Sequence, residues 1–518
     1  MKSKRYFNTT GFCDPKIHYM IDPLRNQNII FDMIAKRQYF TIHAPRQTGK
    51  TTLLHELAHR LNKEGNYISV VFSVESAGYR SITEETANFK IISSLYQACN
   101  LFIDKQFWPK IPKLGQGVSL QDYLNKWTLS LKKHVVLLLD EIDSLYDDVL
   151  VSVLRQLRNG FQGRPKQFPS TIALVGLRDV REYKLKVRPD EASLGSGSPF
   201  NIKAKSILLE TWTKEEITEL YSQHTKDTGQ IFSKEIVNRI YELTGGQPWL
   251  VNAIANEIVF EILNENYTKK ITLAIVEEAK ENIIKRRDTH LDSLIDKLKE
   301  PKVNKIVTAV INGDLMDFNT YNDNILYCRD LGIISETKPV KIANEIYREI
   351  IPRVLTDPFQ DAIGDEGKSV WYIKPNGKLD MDKLLKAFQA FYRENSEMWL
   401  EKFDYKEAGP HLLLMAFLQR VINGGGRINR EMAVGTGRTD LLIEFNGDKF
   451  VLELKLKRLP SAKEKGLDQI SRYLDTLGMT KGWLILFEVK HSSIVKWRTR
   501  LKWKNVSHQN KKITLVEM

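Results

Sequence analysis

The stretch Ala44-Pro45-Arg46-Gln47-Thr48-Gly49-Lys50-Thr51-Thr52 constrains this chain more than any other. It follows the apolar run Tyr39 to Ile42 and opens the amphipathic pattern Leu53, Leu54, Leu57, Ala58, Leu61, so strand, tight loop and helix N-terminus succeed one another. That is the setting of a phosphate loop. Backbone N–H groups of the loop and of the helix's first turn point into the bend and can cradle β- and γ-phosphates, and Lys50 adds a point charge. Thr51 would carry its hydroxyl to Mg²⁺. Ala44 stands where such loops begin with glycine, so the backbone there must keep a φ that a residue with Cβ can reach.

A second signal is the run Val135-Val136-Leu137-Leu138-Leu139, which ends in Asp140-Glu141. An unbroken apolar run is what a parallel strand covered on both faces requires, and ligands collect at the carboxyl ends of such strands. Asp140 is placed to hold the Mg²⁺ hydration shell, and Glu141 to orient or deprotonate the water that attacks a γ-phosphate. A further buried strand, Thr171 to Val175, leads to Arg178, which either approaches the γ-phosphate or pairs with Asp179 at the surface. Arg155 and Arg158, on the helix after Glu141, could serve a neighbour's γ-phosphate or their own, which makes an ATP-dependent homo-oligomer an expectation. Residues Tyr6 to Leu24 are a turn-rich lead-in that could lie over a nucleotide base, with Tyr19 or Met20 touching it. A helix over Leu24 to Ile34 follows.

With 518 residues the chain is too long for one core, and several domains are expected. Cys13, Cys99 and Cys328 have no C-x-x-C spacing, which argues against a disulfide framework or zinc site and fits the cytoplasm. Apolar runs stay below the ~18 residues that span a bilayer, so no membrane partner is expected. The net charge is +13, and from Lys455 to Met518 fifteen Lys and Arg stand against five Asp and Glu. A basic end suits a polyanion, although a lysine-rich solvated surface reads the same way.

Gly245-Gly246-Gln247-Pro248 separates two helical stretches after the first domain. In this spacing the chain resembles the AAA+ superfamily, nearest its initiator-like and signal-transducing STAND branches, and the resemblance implies that Pro248 contacts nucleotide from a helical lid. Residues from Lys302 to Ile351 read helix, helix, two short strands and helix, like a winged helix whose helices are not notably basic. Pro352 to Asp382 reads as a linker.

Beyond it, Arg438 to Phe445 and Asp448 to Lys455 are two strands around Asn446-Gly447, a hairpin turn. A two-residue turn sets Phe445 opposite Asp448 and, counting back, Asp440 opposite Glu453, with Cβ atoms about 5 Å apart. Lys455 shares the face of Glu453 by strand alternation. Two acids able to share a divalent cation, beside an amine, suit metal-assisted phosphodiester cleavage, with Lys455 helping to position the nucleophile. These residues resemble the PD-(D/E)XK nuclease superfamily, with Asp440, Glu453 and Lys455 matching its acid, acid and lysine. The resemblance implies Mg²⁺ or Mn²⁺, a further metal-linked acid at Glu407 with His411 as the competing choice, and a Gln-x-x-x-Tyr pair at Gln469 and Tyr473. Nucleic-acid contacts are expected from these two and from Lys496, Arg498, Arg500, Lys502 and Lys504.

Over nearly its full length the chain resembles bacterial proteins that join an AAA-like ATPase to such a nuclease, through Arg5-Tyr6-Phe7-Asn8-Thr9, the phosphate loop and Gln419 to Arg427. The expected fold is α/β multidomain: a P-loop parallel-sheet domain over 1–210, a helical lid over 211–295, a winged helix over 296–355, a linker over 356–382 and a restriction-endonuclease-like PD-(D/E)XK α/β domain over 383–518. The resemblance implies an ATPase regulating a nuclease that cuts nucleic acid, DNA foremost, in defence against foreign DNA or in mobile-element biology. The alternative is a STAND-like switch that assembles with ATP and binds nucleic acid without cutting it.

Overall fold

The computed structural model describes residues 5–112, 117–177, 202–286, 288–311, 319, 322–335, 337–355, 372–402, 414, 417–418, 427–434, 437–456, 461–487 and 502–518. At 147, 203, 289, 352–355, 391, 393–402, 427–434 and 437–440 the description is of the backbone. The chain divides into two compact units, Met1–Val307 with Leu315–Arg348, and Thr308–Asp314 with Glu349–Met518.

In the first unit, α1 (Asn28–Ala35) leads to β1 (Tyr39–His43), and α2 (Lys50–Glu64) follows the phosphate loop. The expected helix start at Leu24 is instead a turn, in which the Asp22 carboxylate accepts from the Leu24 N–H at 3.0 Å and so competes with helical bonding. Then come β2 (Tyr67–Ser73), α3 (Glu84–Phe102), α4 (Leu120–Leu129), β3 (His134–Asp140), α5 (Asp147–Gly160), β4 (Thr171–Gly176) and β5 (Lys203–Leu208). The strands form one parallel sheet in the order β2-β3-β4-β1-β5. Val135 to Leu139 on β3 and Ile172 to Val175 on β4 are buried, as strands covered on both faces must be. β1 and β3 are separated by β4, so the phosphate loop and the acids of β3 emerge at the same carboxyl edge.

The helical region is α6 (Lys214–Thr228), α7 (Lys234–Thr244), α8 (Pro248–Asn256), α9 (Leu273–Arg286) and α10 (Thr289–Leu298). Its starts are encoded locally. Thr213 and Glu216 form a capping box, Ser233 accepts from the Ile236 N–H, and Gln247 accepts from the Leu250 N–H with Pro248 in the first turn. Each cap is worth about 1 kcal/mol. Between α7 and α8 a Cβ on Gly246, whose φ is 73, would stand 1.9 Å from the Trp212 carbonyl oxygen, so only glycine fits there. α11 (Pro301–Ile311), α12 (Asp323–Asp330), an antiparallel bridge Ile334–Ile342 and α13 (Glu345–Leu355) follow.

The second unit holds α14 (Met381–Lys402), β6 (Arg427–Val434), β7 (Gly437–Phe445), β8 (Asp448–Leu456), α15 (Ala462–Thr476), β9 (Lys481–Phe487), β10 (Lys502–His508) and β11 (Lys511–Glu517). Its mixed sheet runs β10-β11-β9-β8-β7-β6. Leu384, Leu385 and Phe388 of α14 pack with Leu452, Leu454 and Ile485. Leu467, Ile470 and Leu474 of α15 pack with Val451, Leu484 and Leu486. One correction concerns the expected linker: its last part, Tyr372 to Asp382, carries Tyr372, Leu379 and Met381 into this core, because a turn bridged by Ile373 and Leu379 folds back to start α14. Among the described residues no helix is long and apolar enough to cross a membrane.

Candidate functional site

The loop from Ala44 to Gly49 turns between β1 and α2. Ala44 is fully buried and is not among the residues with positive φ, so the missing glycine costs the loop nothing there. The left-handed conformations fall instead on Gln47 at φ 58 and Gly49 at φ 87. Lys50 Nζ donates to the Ala44 and Pro45 carbonyls at 2.8 and 2.7 Å, and Thr48 Oγ1 donates to Pro45 O at 2.8 Å. Burial pulls the Lys50 ammonium down to about 8, against the opposing pull of Asp140 and Asp143. Thr52 Oγ1 accepts from the Cys13 N–H at 3.1 Å and ties the lead-in to α2.

Thr51 Oγ1 donates to Asp140 Oδ2 at 2.9 Å, joining residues 89 apart in sequence. Burial raises the Asp140 carboxyl, and the Thr51 hydrogen bond and Lys50 offset part of that shift. A hydroxyl and a carboxylate converging at a helix head are hard oxygen donors of the kind Mg²⁺ takes. Glu141 is left-handed at φ 58 and exposed, and its carboxylate accepts from the Ser73 hydroxyl. Ser73 ends the neighbouring strand and pairs with Asp140 in register. Sequence reasoning passed over Ser73, whose signal was a polar residue closing an apolar strand. It also passed over Asp143, which accepts from the Leu177 N–H at 3.2 Å and fixes the end of β4.

Beside the loop lies an open cleft lined by Thr48, Gly49, Tyr19, Met20, Trp212 and Pro248 among others. The lead-in forms one wall. It is pinned by Arg5 to Asp227 at 2.9 Å and by the Trp249 indole N–H to Thr9 O at 2.8 Å. Arg155 and Arg158 lie exposed on α5, and Arg46 is exposed in the loop. Arg178 lies outside the described residues.

In the second unit the hairpin has the expected register, with Phe445 opposite Asp448 and Leu441 opposite Leu452. Asp440 and Glu453 are the next residues along their strands. Asp440 is described by its backbone in β7. Glu453 is fully buried, and Lys455 Nζ lies 2.6 Å from its Oε1. Gln469 Nε2 donates to the Tyr473 hydroxyl at 3.1 Å, while the Tyr473 ring belongs to the core under α15. Lys502 and Lys504 are exposed on β10. Glu407, His411, Lys496, Arg498 and Arg500 lie outside the described residues. Among the described residues no group of three or more His, Cys, Asp or Glu side chains is gathered as a metal site.

A five-stranded parallel sheet with a phosphate loop after β1 and acids after β3 defines a P-loop ATPase domain. Residues 16–351 match the family described as AAA-like domain, and the chain belongs to that family. Solved structures similar to it include the Walker-type ATPase of Pyrococcus abyssi, at 14% identity over 67% of this chain and 99% of that one with a TM-score of 0.47. Cdc6p from Pyrobaculum aerophilum is 16% identical over 67% and 97%, TM-score 0.37. The Aeropyrum pernix Orc1 protein in complex with DNA is 12% identical over 66% and 95%, TM-score 0.36. None of the curated proteins compared with the chain matches it.

Proposed function

We propose that the chain hydrolyses ATP in its first unit and that this activity regulates a metal-dependent nuclease in its second. The observation that carries the first half is the Thr51–Asp140 pair at 2.9 Å beside Lys50. Thr51 and Asp140 would hold Mg²⁺, which supplies neutralising charge to the β- and γ-phosphates. Lys50 exchanges its two loop carbonyls for phosphate oxygens, and the loop N–H groups cradle the rest of the charge. Glu141, steadied by Ser73, takes the proton of the attacking water. Pro248 and the Tyr19–Met20 lead-in wall the base side of the cleft. Arg178, Arg155 and Arg158 remain the candidate γ-phosphate partners, the last two across a subunit boundary.

For the nuclease half, support comes from a fully buried glutamate in mid-strand whose neighbour two residues on is a lysine. Asp440 and Glu453, with Glu407, would ligate Mg²⁺ or Mn²⁺, and Lys455 would orient the nucleophile. Lys496, Arg498, Arg500, Lys502 and Lys504 would bind backbone phosphates, and Gln469, held by Tyr473, would reach the same strand. A second reading, an ATP-driven switch that binds DNA without cutting it, draws on the ion pair itself, since Lys455 already neutralises the one acid whose side chain is described. Incubating the purified protein with plasmid and linear DNA, with and without ATP and Mg²⁺, separates the two. Cleavage that needs Mg²⁺ and changes with ATP supports the first, and DNA retention without products supports the second.

A further inference from the structure

Gln47 is the one non-glycine residue of the phosphate loop with positive φ. Side chains with Cβ seldom stay there unless their surroundings hold them. Two groups from far along the chain do so. Gln247 Nε2 donates to the Gln47 main-chain oxygen at 3.4 Å, and His290 Nδ1 lies 2.7 Å from the Gln47 amide oxygen. The other ring nitrogen, His290 Nε2, is 2.6 Å from the hydroxyl of Tyr347 on α13. Trp249, next to Pro248 at the start of α8, stacks on the imidazole at 4.9 Å and 19°. His290 and Tyr347 are buried.

With the Gln47 amide oxygen turned to the ring, Nδ1 is the donor, because an amide oxygen only accepts. Burial pulls the His290 imidazole down to about 4, so the ring is neutral and Nε2 keeps its lone pair for the Tyr347 hydroxyl. The result is one directed path, Tyr347 to His290 to Gln47, from a helix at the end of the family match to the bend that would hold the phosphates. Rotating Gln47 out of the left-handed region would turn the peptide between Gln47 and Thr48, and with it an N–H of the cradle.

We infer that His290 is a positioning residue of the nucleotide site: braced by Trp249 and Tyr347, it holds Gln47 left-handed so that the loop's N–H groups face a bound polyphosphate. This rests on the phosphate-loop reading above and adds to it a requirement no part of the loop's own sequence carries. His290 acts through Gln47, so it governs how tightly the phosphates are held and leaves Glu141 and its water alone.

The test is ADP affinity by calorimetry and ATP turnover, on the full chain. His290→Ala should weaken ADP about 10-fold, the scale of one lost hydrogen bond, and raise KM while kcat holds, as loss of uniform binding does. A merely structural defect would lower the active fraction and leave KM unmoved. His290→Asn, which keeps a donor near the Nδ1 position, should recover part of the loss. Gln47→Gly takes the left-handed conformation unaided, so His290→Ala made in that background should cost less than twofold. If His290→Ala binds ADP like wild type while Lys50→Ala loses it, the brace is wrong and the phosphate loop stands. If Lys50→Ala also binds like wild type, the nucleotide reading falls instead. Should His290→Ala fail to fold, Tyr347→Phe removes only a hydroxyl and should raise KM about threefold; an unchanged KM overturns the inference.

Discussion

Asp140 and Glu453 are both carboxylates attached to strands of near-continuous apolar residues, yet the protein neutralises them differently. Asp140 sits at the tip of β3, where the strand opens into a crevice. There its oxygens take a hydroxyl from Thr51 at 2.9 Å and the Glu141 N–H at 2.9 Å. Glu453 lies inside β8, with Val451 of the same face packed against α15. Its cation comes from its own strand, two residues on, at 2.6 Å. A tip acid can wait for a ligand to supply positive charge, whereas an acid in mid-strand must carry its counter-charge with it.

The comparison breaks most sharply at the second acid. Asp440→Ala and Glu453→Ala should each cut nucleic-acid cleavage by about 10³-fold or more and leave ATP hydrolysis within twofold, because in the proposed nuclease site each would hold the metal. Lys455→Ala should abolish cleavage while metal affinity survives. It should also lower the stability of the second unit by about 3 kcal/mol, since it strips a buried carboxylate of this cation. Gel assays, metal titration and denaturant unfolding read the three effects, and a Lys455→Ala protein that cuts and unfolds like wild type would end the distinction drawn here.

The tip site predicts the next largest change. Lys50→Ala should lower nucleotide affinity by about 100-fold or more, whereas Glu141→Gln should bind as tightly as wild type and not hydrolyse, because in the proposed site Lys50 would meet the ground-state phosphates and Glu141 only the water. Calorimetry with ATP on both variants decides it.

A smaller effect sharpens the electrostatic side. In the free protein Lys50 titrates at about 8, and a bound polyphosphate favours its charged form and raises that value. Nucleotide binding should therefore take up protons just above pH 8, and affinity should fall as pH climbs past it. Calorimetry at pH 8.5 in two buffers of different ionisation enthalpy measures the uptake, and identical heats in both would contradict it.

The smallest change tests the mid-strand site through its packing. A Cβ on Gly466 of α15 would stand 2.7 Å from Leu484 Cδ1 and 3.2 Å from Lys455 Cγ. Gly466→Ala should cost about 1 kcal/mol and, by pressing on the lysine stem, slow cleavage several-fold without touching ATP turnover. Equal cleavage rates would mean that Lys455 has room to spare.

What could be read from the residues alone follows the same division. The phosphate loop, the acids after β3 and the hairpin register were legible because each depends on neighbours in sequence: a strand into a loop, an apolar run into Asp-Glu, an Asn-Gly turn that sets Phe445 opposite Asp448. Lys455 beside Glu453 was legible too, since strand alternation puts residues two apart on one face. Ser73 and His290 were not, because each acquires its meaning from a partner 68 and 243 residues away. Nor was the return of Tyr372 into the second core, where turn-forming residues resemble a bare connection.

Among the described residues β10 is the outer strand of the second sheet, joined to β11. The rim of N–H and C=O groups that the described strands leave uncovered is a template on which another chain could add a strand. Lys502 and Lys504 stand on that rim, and two such edges brought together would align ammonium groups against each other. Like charges at that edge would oppose such pairing. Reversing them to Glu would preserve that mutual repulsion, whereas neutral threonines would remove it and invite aggregation at high concentration.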